Sequence, residues 1–226
     1  MPTVLITGAN RGLGRALAET YCAAGWNVIA TCRNAADQPA LQKACPTADV
    51  YQLDLASEKS IDELASLLND RAIDVLLNNA VWAVKEGGLM DVTYDNWAHS
   101  MKVNAFSVLQ LARSFLSNLL LSERKAIVHI SSSMGSISAN DLGGKYSYRS
   151  SKAAAHMIIR NLAIDLADQN IIAVSIHPGW LQTRLGGPDA EISPAIGAAR
   201  IKVLLDRLTP AQSGKFLTAT GEELNW

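Results

Sequence analysis

Cysteine is scarce in this chain, and its few copies are arranged neither as metal ligands nor as a disulfide framework. Three cysteines occur among 226 residues, with no CxxC spacing and no paired histidines nearby: Cys22, Cys32 and Cys45. An odd number without such spacing argues against both kinds of site. The four histidines show no ligand spacing either: His99, His129, His156 and His177. We therefore expect no metal centre.

Long apolar runs and clusters of like charge are also missing. No stretch approaches the length of a membrane span, and the N-terminal apolar run, Val4 to Ile6, is too short for the core of a signal peptide. The net charge is -1, and no run of five or more basic residues occurs. The chain thus lacks the electrostatic footprint of nucleic-acid binding. We expect a cytoplasmic protein that binds small molecules, with no nucleic acid partner and no membrane span.

The remaining composition is typical of a globular protein, with 49% hydrophobic and 18% charged residues. A chain of this length can bury one sizeable core. Seven short apolar runs have strand length: 3–6, 27–30, 49–53, 73–77, 126–130, 171–176 and, as a possible edge strand, 215–218. Helical patterns alternate with them, including 15–25, 60–70, 104–121 and 148–168. This order predicts a doubly wound parallel sheet, a three-layer α/β (Rossmann) fold forming one domain over 1–226.

A glycine loop, TGANRGLG, follows the first predicted strand and opens a predicted helix. Glycine permits positive φ and a close approach of phosphate to the backbone, while a helix N-terminus presents free N–H groups to an anion. In this context the loop predicts a dinucleotide site rather than a mere tight turn. We expect six of its residues to contact the cofactor: Gly8, Asn10, Arg11, Gly12, Leu13 and Gly14.

The end of the second strand bears on the choice of cofactor. An acidic residue there usually holds the ribose 2′-hydroxyl of NAD. Here the stretch ATCRNAAD places Arg33 at that point, and a guanidinium can pair bidentately with a 2′-phosphate. Arg33 and Arg11 therefore favour NADP(H), the alternative being that both are solvated surface charges. Asp37 lies close by and keeps NAD open.

Polar residues also follow the third and fourth strands. QLDLAS places Asp54 where its carboxylate could meet an adenine amino group, with Leu55 beside it. LLNNAV places Asn78, Asn79 and Ala80 at the next strand end. Each alone could be a turn or capping residue. Because the carboxyl ends of parallel strands meet at one edge, together they predict a line of contacts along one ligand.

Two tyrosines compete for a chemical role in KYSYRSSKAAAH. Tyr148 has Lys152 four residues later, on the same face of a predicted helix, whereas Tyr146 has Ser150 at that offset. A free phenol titrates at about 10, and a neighbouring ammonium favours the phenolate. We expect Lys152 to lower the pKa of Tyr148, so that the pair can give or take a proton.

Three hydroxyls precede this helix, in HISSSMGS after the fifth strand. Ser131, Ser132 and Ser133 could orient a substrate oxygen. The alternative is ordinary turn chemistry.

In this order the motifs resemble those of the short-chain dehydrogenase/reductase family, and the resemblance spans nearly the whole chain. The matching segments are TGxxxGxG at 7–14, NNA at 78–80, the helix asparagine Asn104, SxxG at 132–135, YxxxK at 148–152 and PGxxxT at 178–183. The loop before the tyrosines and the C-terminal segment look most like the branch containing the C-factor and sniffer-type carbonyl reductases. Two departures are Val81, where the family usually has glycine, and a longer gap between Ser132 and Tyr148.

The resemblance implies a role for each matching residue. Tyr148 would protonate a carbonyl oxygen, Lys152 would lower its pKa and bind the nicotinamide ribose, and Ser132 would hold the substrate oxygen. Asn104 would hold a water that links Lys152 to solvent. Tyr148 and Lys152 thus belong to both the catalytic and the cofactor-binding set, and three residues near the sixth strand complete the latter: Pro178, Gly179 and Thr183. Homodimers or homotetramers are also implied.

These expectations combine into one leading function, an NADP(H)-dependent reductase of small lipophilic ketones, aldehydes or quinones. A short lid near 184–207, with a helix starting near Ser193 and Pro194, would cover only a modest substrate. Trp180, Leu181 and Leu185 could line it, or simply pack it onto the body. The alternative function is a dinucleotide-binding redox sensor with little turnover. An epimerase, a dehydratase and an enoyl reductase fit the short C-terminal part and the tyrosine–lysine spacing less well.

Overall fold

The computed structural model describes residues 1–86 and 88–226 and contains one seven-stranded, fully parallel sheet. The strands follow the order β3-β2-β1-β4-β5-β6-β7 across the sheet. Their bounds are β1 Thr3–Ile6, β2 Asn27–Cys32, β3 Asp49–Gln52, β4 Val75–Asn78, β5 Ala126–Ile130, β6 Ile172–His177 and β7 Phe216–Thr218. The predicted fold class is confirmed, and all seven predicted runs form strands.

Eight α-helices occur in the described part of the chain and cover both faces of the sheet. They are α1 Gly12–Ala23, α2 Gln38–Ala44, α3 Glu58–Leu67, α4 Tyr94–Met101, α5 Ser107–Ser114, α6 Leu116–Leu120, α7 Tyr146–Asp165 and α8 Pro194–Asp206. One core lies under α1 and α8, and the other lies under α3, α5, α6 and α7. Val4 and Ile6 face the first core while Leu5 faces the second, since side chains alternate along a strand.

The helices depart from the sequence-based expectation in the middle of the chain. The predicted helix over 104–121 starts within a π-helical segment, Lys102–Phe106, that continues directly from α4, and the rest of it is α5 and α6. Helices α2 and α4 were not predicted. Helix α7 begins at Tyr146, two residues before the predicted start. Helix α8 begins at Pro194 as expected, with the Ser193 hydroxyl accepting from the Ile196 N–H.

The chain order reverses between β1 and β4, which lie side by side at the centre of the sheet. Such a reversal opens a crevice outside the carboxyl ends of the two strands, because the connecting helices leave toward opposite faces. The predicted site residues follow these strand ends. Among the described residues, no helix combines the length and apolar character needed to cross a membrane.

The packing of the second core yields a stability prediction. Leu119 of α6 is fully buried, whereas Leu67, at the end of α3, is 68% exposed. Leu119→Ala should lower the free energy of unfolding by about 2–5 kcal/mol, since it removes apolar burial and leaves a cavity. Leu67→Ala is the matched control and should change it by less than about 1 kcal/mol. Urea unfolding measures both, and equal losses would contradict this assignment of the core.

Candidate active site

The glycine loop packs directly against the segment that follows β4. The Thr7 hydroxyl accepts hydrogen bonds from the backbone N–H groups of Asn79 and Ala80, at 3.0 and 3.1 Å. The Asn79 amide donates to the carbonyl oxygens of Thr7 and Gly8, at 2.9 and 3.3 Å. A Cβ on Gly14 would overlap the Gly8 carbonyl oxygen, and Gly8 has a φ of 67°. Both positions therefore require glycine, and the two segments form one wall of the crevice.

The start of α1 lies beside a residue from a distant part of the chain. Gly12 has a φ of 55°, and a Cβ there would lie 3.3 Å from Cγ2 of Thr183. Arg11 occupies the capping position without a side-chain cap, so its side chain leaves the first N–H groups of α1 free. Leu13 is buried in the first core and can meet a ligand only through its backbone. The structure thus brings Thr183 to the glycine loop, while its contact with a cofactor stays a prediction.

Arg33 is exposed at the end of β2 and forms no ion pair with a described residue. Its guanidinium carbon lies 5.7 Å from the centroid of the Trp82 ring, within cation–π range. The nearby Asp37 carboxylate accepts a hydrogen bond from the Asn10 amide at 2.8 Å. Asp37 is therefore already engaged by the glycine loop, while the guanidinium remains available to an anion.

Three other predicted cofactor residues have structural partners of their own. The Asp54 carboxylate accepts from the Ala56 N–H at 3.0 Å and so closes the turn after β3. Leu55 is half-buried against the second core. Asn78 is buried, and its amide donates to the Val128 carbonyl oxygen at 3.3 Å across the sheet. Contact between these three and a cofactor stays a prediction.

The structure brings Ser132, Tyr148 and Lys152 together. Ser132 hydrogen bonds to the Tyr148 phenol, and Lys152 Nζ lies 6.0 Å from the centroid of the Tyr148 ring. Of the neighbouring serines, Ser131 pairs with His156 and Ser133 is exposed. Tyr146 is 43% exposed at the first position of α7. Among the three serines and two tyrosines, only Ser132 and Tyr148 pair with each other.

Burial dominates the acid–base character of this pair. It raises the pKa of Tyr148 to about 12, and the hydrogen bond to Ser132 offsets part of that rise. It lowers the pKa of Lys152 to about 7, because a charged ammonium loses hydration in the interior. The direction for Tyr148 is opposite to the one expected from the sequence. Lys152 is only partly charged near neutral pH and its Nζ binds the Ile130 carbonyl oxygen, and it does not offset the desolvation of the phenol.

Two histidines, His129 and His156, lie near Lys152. Lys152 Nζ donates to the Ile130 carbonyl oxygen at 2.8 Å and lies 3.5 Å from His129 Nε2. Burial, reinforced by Lys152, holds the pKa of His129 well below its usual value and lowers the pKa of His156 to about 4. Both imidazoles are therefore neutral at pH 7. No group of three or more His, Cys, Asp or Glu side chains suited to a metal ion occurs among residues 1–86 and 88–226.

Asn104 lies in the π-helical segment, and its side chain is fully engaged. Its amide oxygen accepts from the Trp82 N–H at 2.7 Å, and its amide nitrogen donates to the Trp82 carbonyl oxygen at 2.8 Å and to Ser151 Oγ at 2.9 Å. Ser151 in turn donates to the Tyr148 carbonyl oxygen at 2.8 Å. The side chain thus ties the segment after β4 to the tyrosine helix.

The segment after β6 forms a compact loop beside the crevice. Pro178 follows β6 directly, and Gly179 has a φ of 88°. The Ile192 N–H donates to the Trp180 carbonyl oxygen at 3.2 Å and so closes the loop, and the Trp180 indole donates to the Gly186 carbonyl oxygen at 2.8 Å. Leu181 is buried in the first core, so it packs the loop onto the body. Trp180 and Leu185 are 52% and 54% exposed.

Sequence reasoning missed three contributors to this site. Trp82 contacts Arg33 and lies edge-on to His99, with 4.5 Å between ring centroids. Its position after NNA was the only available signal. His129 lies in β5, within the predicted strand 126–130, but its proximity to Lys152 depends on how α7 packs on the sheet. Glu86 binds Ser147 at the start of α7, and no local pattern announces this contact.

Comparison with known proteins places these features in a family. A family model described as short chain dehydrogenase matches residues 2–191. The C-signal protein of Myxococcus xanthus is 37% identical over 154 residues, which cover 68% of this chain and 93% of that protein.

The solved structures that match over the full chain include two carbonyl reductases. The carbonyl reductase Sniffer of D. melanogaster has a TM-score of 0.91 and 31% identity, with 100% of both chains covered. The NADPH-bound carbonyl reductase from chicken fatty liver has a TM-score of 0.92 and 28% identity, covering 100% of this chain and 99% of that one. With its parallel sheet, glycine loop and Ser132, Tyr148 and Lys152 group, the chain belongs to the short-chain dehydrogenase family of oxidoreductases.

Proposed function

We propose that this oxidoreductase is an NADP(H)-dependent carbonyl reductase. The observation that carries the proposal is the grouping of Ser132, Tyr148 and Lys152 at the carboxyl end of β5, beside the wall formed by the glycine loop. The two carbonyl reductases that match this structure over its full length support the same reaction class. Location in the cytoplasm and assembly into homo-oligomers stay predictions.

The residues of the crevice fit a dinucleotide with a 2′-phosphate. Gly8 and Gly12 permit the positive φ of the loop and Gly14 permits its close packing, so that the loop presents the free N–H groups of α1, which can meet a pyrophosphate. Arg33 and Arg11 are exposed cations without ion-pair partners in the described chain, and can pair with the additional phosphate. Asp37 is occupied by Asn10 and is therefore a weaker candidate for holding a ribose hydroxyl. These contacts favour NADP(H) over NAD(H).

When bound, NADPH supplies a hydride to the substrate's carbonyl carbon. Tyr148 is the group that protonates the carbonyl oxygen, because its raised pKa keeps the phenol protonated until the oxygen becomes basic. Ser132 accepts from the Met134 N–H at 3.2 Å, which leaves its own O–H to donate to the same oxygen. Lys152 is near its midpoint of titration at neutral pH, and can return a proton toward Tyr148 through groups bound between them.

The proposed substrate is small and lipophilic. The two loops at the carboxyl ends of β5 and β6 carry exposed apolar side chains, Ile137 and Leu142 on one and Trp180 and Leu185 on the other. Exposed apolar groups at the rim of a crevice favour apolar ligands. The segment from 184 to 193, with α8 behind it, is the proposed lid. Ketones, aldehydes and quinones of modest size meet these conditions.

The dinucleotide-binding sensor is the second candidate, and the 37% identity to a protein named C-signal favours keeping it. A pure sensor has no need of the Ser132, Tyr148 and Lys152 group. The tests below separate binding from turnover.

Tyr148→Phe should abolish NADPH-dependent reduction of a panel of ketones, aldehydes and quinones, because the phenyl ring has no proton to give. A loss of roughly a hundredfold or more is expected for a general acid. NADPH binding, measured by fluorescence titration, should persist. Tyr146→Phe is the matched control and should retain activity. The reverse pattern would assign the chemistry to Tyr146, and binding without turnover in the wild type would favour the sensor.

Arg33→Asp should move cofactor preference toward NADH, because a carboxylate repels the 2′-phosphate and can accept from the ribose 2′-hydroxyl instead. The ratio of kcat/KM for NADPH to that for NADH should fall by roughly tenfold or more, as for the loss of a charge-assisted hydrogen bond. Arg200→Asp, an exposed change on α8, is the control. An unchanged ratio in Arg33→Asp would refute this role.

Cofactor affinity should depend on the titration of Lys152. Its pKa of about 7 means that its charge is present below that pH and lost above it. Because a charged ammonium binds ribose hydroxyls and an anionic cofactor better, the NADPH affinity of the wild type relative to Lys152→Met should fall between about pH 6 and pH 8. The exposed Lys43→Met should follow the wild type. Parallel pH profiles in all three would contradict the assignment.

A further inference from the structure

Glu86 is a buried carboxylate that the proposed mechanism does not use. It is 8% exposed, and both of its oxygens accept from Ser147, a residue that is itself 1% exposed. The Ser147 N–H donates to Oε2 at 3.0 Å, and the Ser147 hydroxyl donates to Oε1. A carboxylate loses much hydration when buried, so this contact must compensate for that cost. Glu86 therefore has a specific partner at the first turn of α7.

Helix α7 lacks a cap of its own at this end. Lys145, at the capping position, is left-handed with a φ of 48° and offers no side-chain acceptor, and the first turn contains no acidic residue. Helix N-termini leave N–H groups unpaired and favour negative charge. Glu86 supplies both the acceptor and the charge from a segment 61 positions earlier. The cap of the tyrosine helix is thus a tertiary contact.

A second contact ties the same segment to the same helix. Trp82 is held through both backbone groups by Asn104, which also donates to Ser151. Ser147 and Ser151 are four residues apart and buried on one face of α7. Tyr148 comes directly after Ser147, and Lys152 comes directly after Ser151. The segment 79–86 is therefore attached to α7 at two points, Ser147 and Ser151, which lie one helical turn apart and next to the reactive side chains in the sequence.

We propose that Glu86 is a positioning residue that fixes the first turn of α7, and with it the Tyr148 hydroxyl, relative to Ser132 and the cofactor wall. The inference rests on the proposed reductase function for its kinetic consequence. Asn79 and Ala80, which bind the glycine loop, lie in the same segment as Glu86. One short segment, 79–86, thereby sets the distance between the glycine loop and Tyr148.

A purely structural role for Glu86 predicts a different pattern from a positioning role. Loss of a structural contact lowers stability and leaves the kinetic constants of the folded protein unchanged. Loss of a positioning contact lowers kcat and leaves cofactor binding intact, since a displacement of about 1 Å can cost on the order of a hundredfold in rate. The amide protons of the first turn of α7 should also exchange faster, independent of any turnover.

The experiment compares the full-length wild type with Glu86→Ala, Glu86→Gln and Ser147→Ala. Glu86→Gln keeps one good acceptor, and Ser147→Ala removes the hydroxyl but keeps the N–H. Both variants should therefore act more mildly than Glu86→Ala. They should also preserve the fold if Glu86→Ala does not fold. Glu58→Gln, an exposed carboxylate in the first turn of α3, is the matched control. The readouts are kcat for a carbonyl substrate, the Kd for NADPH, and hydrogen–deuterium exchange of peptides spanning 144–152.

We expect kcat to fall by roughly tenfold to a hundredfold in Glu86→Ala and by less in the milder variants, with the Kd for NADPH unchanged and exchange accelerated at the start of α7. The control should match the wild type in all three. Unchanged kcat and exchange in folded Glu86 variants would overturn the inference, as would equal losses of kcat and NADPH affinity. If the wild type reduces no carbonyl, the proposed function fails, while slow exchange that is lost in the Glu86 variants still upholds the cap.

Discussion

The side-chain amide of Asn104 is the interaction on which the rest of the site depends. Three hydrogen bonds from one buried group reach the backbone of Trp82 and the hydroxyl of Ser151, and so join the segment after β4 to α7. The π-helical geometry of residues 102–106 accompanies this arrangement, since a local change of helical pitch alters which side chains face inward. Such a segment is common at functional sites, and here it places Asn104 between the segment after β4 and α7.

Burial accounts for most of the chemistry that the site can perform. It pushes the pKa values of Tyr148 and Lys152 in opposite directions, upward for the acid and downward for the base, because both charged forms lose hydration. The two neutral histidines behind Lys152 add polar groups without adding charge at pH 7. Near neutral pH the phenol and both imidazoles are consequently uncharged, and Lys152 is the group of the site that carries a partial charge.

Local patterns were sufficient wherever the relevant neighbours are close in sequence. Strand β5 is a run of five buried residues, and its predicted bounds agree with the structure. The choice of Tyr148 over Tyr146 followed from helical spacing, and the structure pairs Tyr148 with Ser132. Local patterns did not predict α4 or the π-helical segment, because no local signal in the sequence distinguishes a π-helix from an α-helix. The predicted lowering of the Tyr148 pKa was wrong in direction, since it considered one neighbour and not desolvation.

The sequence by itself determined the parallel sheet, the glycine loop at its first turn and the shared face of Tyr148 and Lys152. Each of these follows from spacing within one or two adjacent elements, where side-chain direction is set by backbone periodicity. Only the tertiary structure decided which atoms meet across long separations, such as Glu86 with Ser147, Thr183 with Gly12 and His129 with Lys152. Those contacts depend on the order in which the strands pair and on how much hydration each group loses on folding. A local stretch of residues determines neither of these, because both depend on parts of the chain that are distant in sequence.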